Sequence, residues 1–205
     1  IYDKLVRLRD VMGRKLGDDG FTKLGYYRMG RNCYTKEDVE KFRAAVVKYV
    51  VPVASSIYRE QAARLGKSYP MNFADNALMF RSGNPKPCGT PAEILAQGKH
   101  FYEELSPETG EFFNTMLDNE LLDVLSTPGK RAGGYCTSLG DYHVPFIFAN
   151  FNGTQHDVEV VTHEAGHAFA AWLNRDRIPQ SYIWPSLEAC EVCLLYTSDA
   201  ADERS

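Results

Sequence analysis

Apolar residues in the first sixteen positions recur with the period of a helix: Leu5, Val6, Leu8, Val11, Met12 and Leu16 form a stripe, and Gly17 closes it. A short helical or turn segment from Phe21 to Tyr27 stops at Gly30. Thr35-Lys36-Glu37-Asp38 sets an N-cap three residues before an acid, which predicts a long helix from Lys36 to about Leu65. Pro52 falls inside that helix and should kink or divide it, because proline removes a backbone donor. Residues 69–89 read as loop, broken by Pro70, Gly83, Pro85, Pro87 and Gly89. Thr90-Pro91-Ala92-Glu93 and Ser106-Pro107-Glu108 each pair a cap with an N1 proline and open helices that run to about Leu105 and Asn119. A further helical stretch is expected over Glu120 to Leu125.

The pattern then turns strand-like. Gly133 to Thr137 and Phe146 to Asn150 are β-type runs separated by the turn-prone Leu139-Gly140-Asp141-Tyr142, and predict a small hairpin or two edge strands. Thr154, with Asp157 in the first turn, caps a helix from Gln155 to about Asn174. A loop through Pro179 leads to another helix near Pro185-Ser186. Three regions follow: a helical one over 1–130, a hairpin with two helices over 131–192, and a doubtful tail over 193–205. That tail, from Cys193 to Glu203, resembles a translated sequencing adapter, and the start at Ile1-Tyr2 reads like the middle of a helix. A fragment is therefore expected, poorly active and marginally stable alone.

Composition narrows the class. The 205 residues are 44% hydrophobic and 24% charged, enough for one substantial core or two small ones. A formal charge of −4 and scattered basic residues argue against a nucleic-acid or anionic-membrane surface. No apolar run approaches the ~18 residues of a membrane span. Five widely spaced cysteines suit reduced thiols in a cytoplasmic protein better than a disulfide framework.

The candidate chemistry lies in His163-Glu164-Ala165-Gly166-His167. Helix residues four apart share a face, so two imidazoles can aim at one zinc ion while Glu164 reaches a water activated beside it and takes its proton. Two surface histidines on an amphipathic helix is the bland alternative. Val158, Val160, Val161, Ala165, Ala168, Phe169 and Trp172 oppose it, since they make the helix apolar almost all round, and buried polar side chains require partners. A third ligand is needed. Asp176 follows the helix too closely to fold back over His163. Glu188 and Glu191 lie three apart on the next helix, and residue geometry alone leaves both open.

Beyond that motif, Gly134-Tyr135-Cys136-Thr137, the run Pro145 to Thr154, Thr162 to Phe169 and Pro185 to Glu191 together resemble the oligoendopeptidase F branch of the thimet-oligopeptidase (M3) family. Leu24 to Arg31 and Gly83 to Pro87 fit it too. The resemblance implies a mainly α, zincin-type catalytic region with a channel that admits short peptides. It assigns the third zinc ligand to Glu191 and a peptide-pairing role to the strand at Gly134, Tyr135 and Cys136. It also puts the residues that stabilise the tetrahedral intermediate beyond residue 192. The expected activity is zinc-dependent hydrolysis of internal peptide bonds, with one Zn2+. An exopeptidase of related chemistry and a non-catalytic peptide-binding protein are the alternatives. Cys190-Glu191-Val192-Cys193 also spells a C-x-x-C, but without the second pair of a zinc knuckle. His100, His143 and His156 read as isolated surface or loop histidines.

Overall fold

A computed structural model describes residues 1–191; the adapter-like tail and Cys193 of the C-x-x-C lie outside the described residues. The chain forms two compact units, Ile1–Asn84 and Pro85–Ser205. The change of character read near residue 131 is a change of secondary structure inside the second of them. Among the described residues no helix is long and apolar enough to cross a membrane.

In the first unit, α1 (Tyr2–Lys15), α2 (Phe21–Arg28), α3 (Lys36–Ala45) and α4 (Val51–Leu65) match the periodic segments. Thr35 and Asp38 close the capping box of α3. The long helix is divided as Pro52 requires, by a π-helical stretch at Val46–Val50 in which the Val51 N–H bonds the Val46 carbonyl. The loop-rich stretch after α4 is held by side chains. Buried Gln61 donates to the carbonyls of Asn76 and Leu78, at 3.0 and 2.6 Å, and Asn84 donates to Ala77 and accepts from the Met79 N–H.

The second unit starts with α5 (Pro91–Leu105) and α6 (Pro107–Asp118), each opened by its expected cap and proline. The helix expected over Glu120 to Leu125 is instead a strand, β1 (Leu122–Leu125). Glu120 takes a left-handed conformation, φ 54°, and the Leu121 and Glu120 N–H groups return to the Met116 and Leu117 carbonyls. That is a Schellman stop, built on glutamate where glycine is usual. β2 (Tyr135–Leu139) and β3 (Val144–Phe151) form the predicted hairpin. The sheet order is β1-β3-β2, with β1 parallel and β2 antiparallel to β3.

Burial alternates along β3: Pro145, Ile147, Ala149 and Phe151 face the core and their neighbours do not. Helix α7 (Gln155–Leu173) lies against this face through Val161, Ala165, Ala168 and Ala171, a stripe whose small residues let the helix sit close to the sheet. Phe112, Phe113 and Met116 of α6 complete the core. Helix α7 is thus buried along one stripe rather than nearly all round. After a loop the chain is helical again over 187–191.

Candidate metal centre

The start of α7 is fixed by its cap. The Asp157 carboxylate accepts from the Thr154 and Asn152 N–H groups at 2.8 and 3.0 Å, and the Asp157 N–H returns to the Thr154 hydroxyl. Burial alone would raise the Asp157 carboxyl, but these hydrogen bonds outweigh it and hold the group below its ordinary value. Helix α7 is therefore anchored at one end by its cap and along its length by the sheet.

Two turns further on, His163 and His167 stand one above the other. Their Nε2 atoms are 3.1 Å apart and their rings are nearly perpendicular, at 88°. Across from them lies Glu191. One carboxylate oxygen is 3.5 Å from Nε2 of His163 and the other 3.7 Å from Nε2 of His167. Of the two carboxylates left open by sequence geometry, Glu191 is the one in this triangle. Asp176 instead meets His143, at 3.0 Å, just beyond α7. His100 and His156 make exposed pairs with Glu104 and Glu159.

The triangle suits a small divalent cation. Ligands held tetrahedrally at about 2.0–2.1 Å lie about 3.3 Å from one another, and separations of 3.1, 3.5 and 3.7 Å bracket that spacing. The donor types, two imidazoles and a carboxylate, are those of a catalytic zinc site. Burial lowers the pKa of His167, the charge of His163 lowers it further, and Glu191 opposes both. A neutral imidazole keeps the lone pair that a ligand needs. The group stays open to solvent: the side chains of His163 and Glu191 are 45% and 63% exposed.

Glu164 is half-buried beside β2, its Oε1 3.7 Å from where a Cβ on Gly134 would stand. Burial raises its pKa and Glu191 adds to that, while His163 and the Cys136 backbone N–H pull it down. A carboxylate tuned upward is a better proton acceptor near neutrality. Cys136 is no nucleophile: burial, with Glu164 and Cys190 nearby, pushes its thiol up to about 12. Tyr135 is exposed and stacks on Phe148, with ring centroids 5.1 Å apart.

One positioning group escapes a reading of motifs. Asn150 donates to the carbonyls of Arg131 and Gly133, both at 2.8 Å, and so pins the segment that leads into β2. Its signal was a single polar residue in the apolar run Phe146 to Phe151.

The model of peptidase family M3 matches residues 100–193. Among solved structures, the chain is 48% identical to PZ peptidase A, solved with inhibitor 2, at a TM-score of 0.88; 95% of this chain and 34% of that one are covered. It is 47% identical to a protein provisionally assigned as oligoendopeptidase F from Bacillus anthracis str. Ames, at a TM-score of 0.87, covering 95% of this chain and 36% of that one. The chain thus spans about a third of the length of these proteins. No curated protein matches it.

Proposed function

Since the chain belongs to peptidase family M3, we propose that the whole protein is a zinc-dependent endopeptidase that hydrolyses internal bonds of short peptides. The observation that carries this is the convergence of His163, His167 and Glu191 on one point, with Glu164 adjacent. His163 and His167 would hold the ion through Nε2, and Glu191 through a carboxylate oxygen. Bound zinc supplies a Lewis acid that brings the pKa of water down towards about 7.

The chain's own part is proton handling and placement. Glu164 takes a proton from the attacking water and can return it to the departing amine, a role its raised pKa suits. On β2, the edge away from β3 offers backbone N–H and C=O groups to an extended peptide. The names of the similar proteins support short peptides as substrates.

Metal content and turnover of an internally quenched fluorescent peptide by the whole protein test this reading. One zinc per chain and cleavage of a peptide blocked at both ends are expected. Cleavage only of peptides with a free end would point to an exopeptidase, and tight peptide binding without turnover to a binding protein. Full activity after Glu164→Gln would falsify the mechanism.

A further inference from the structure

A general base needs a fixed direction as well as a suitable pKa, and what fixes Glu164 can be traced along β2. Among the described residues this strand pairs with β3 on one side only. Pro145 carries no N–H, so its antiparallel partner Ser138 cannot exchange both hydrogen bonds with it. Exchanging and non-exchanging pairs alternate along such a ladder. Cys136, paired with Ile147 two places on, is therefore also at a non-exchanging position, and its N–H faces the open edge. The Glu164 carboxylate stands beside this strand, its Oε1 3.7 Å from where a Cβ on the neighbouring Gly134 would be.

The approach is made possible by a missing side chain. A Cβ on Gly134 would lie 3.0 Å from Cγ1 of Val160 and 3.7 Å from Oε1 of Glu164. The Gly134 backbone is not left-handed, so glycine is required there for space and not for torsion. Val160 and Glu164 are one helical turn apart on α7 and face this strand together.

We propose that β2 positions the general base: the Cys136 amide orients the Glu164 carboxylate, and Gly134 sets the distance between strand and helix. Glu164's role rests on the endopeptidase reading, whereas the contact does not. One carboxylate oxygen accepting the amide leaves the other free to take a proton. On this proposal the Cys136 N–H serves Glu164 and is not among the edge groups that β2 offers a peptide.

The test uses the whole protein with Gly134→Ala, Val160→Ala and the double variant. Misplacing a catalytic group by an ångström costs on the order of 10²-fold. Gly134→Ala should lower kcat by about that factor with KM within about twofold and zinc retained. Adding Val160→Ala removes the methyl in the way and should restore most of kcat, while Val160→Ala alone changes little. In the metal-free protein, exchange of the Cys136 amide, resolved by NMR, should quicken about tenfold or more in Glu164→Ala and in Gly134→Ala. A raised KM with unchanged kcat, zinc loss in Gly134→Ala, or equal exchange with and without Glu164 would overturn the proposal. If the wild-type protein has no peptidase activity, the endopeptidase reading fails and amide exchange still decides this one.

Discussion

In Ile1–Asn84 the buried apolar side chains are Ala62 and Leu65, while Leu5, Val6, Leu8, Val11 and Met12 along α1 are exposed. In the second unit Phe112, Phe113, Met116, Ile147, Ala149 and Phe151 close around the stripe of α7. Within these residues, helices that both carry an apolar stripe thus stand on very different supports. A period of 3.6 says that a helix has an apolar face, not what that face meets. The candidate site, which depends on separations near 3–4 Å, is carried by the unit with the enclosed core. Positioned chemistry needs elements whose own packing is fixed.

The contrast can be broken in several ways. The largest effect is expected at the site: Glu164→Gln in the whole protein should reduce kcat by about 10²–10⁴-fold with zinc retained, measured by peptide turnover and metal analysis. Next comes the core beneath it. Phe112 is fully buried, and Phe112→Ala should destabilise the chain by about 3–5 kcal/mol in denaturant unfolding. Thr154→Ala, which removes the cap of α7, should cost about 1 kcal/mol by the same measurement.

The acid in that cap carries a pH signature. The native pKa of Asp157 is depressed, so its contribution is present above the unfolded value near about 3.9 and is lost as pH falls through the lower native value. Asp157→Asn should therefore be less stable than wild type at neutral pH, with the gap closing below about pH 3 in thermal melts. The smallest effect belongs to the other unit. Phe42 is 67% exposed, and Phe42→Ala should stay within about 0.5 kcal/mol. A Phe42 effect as large as that of Phe112 would erase the distinction between the units.

The local chemistry of helix starts was legible from short patterns, because Thr35, Thr90, Ser106 and Thr154 each needed only three residues of context. β1 was not, since the stop before it uses Glu120 in a left-handed conformation and gives no glycine signal. Leu121 to Leu125 also fits a buried helix turn as well as a strand. His163 and His167 could be paired from their spacing alone. Spacing left Glu188 and Glu191 open and the resemblance pointed to Glu191; the choice turns on how the chain returns after α7, a tertiary fact that spacing does not hold. The contact of Gly134 with Val160 and Glu164 is likewise a matter of packing between elements.

Anomalous diffraction at the zinc edge, from crystals of the zinc-loaded whole protein, bears most directly on the metal centre. A single peak is predicted about 2.0–2.1 Å from Nε2 of His163, Nε2 of His167 and a Glu191 carboxylate oxygen. A peak elsewhere in the molecule, or a Glu191 carboxylate turned away from an ion held by the two histidines, would contradict the account.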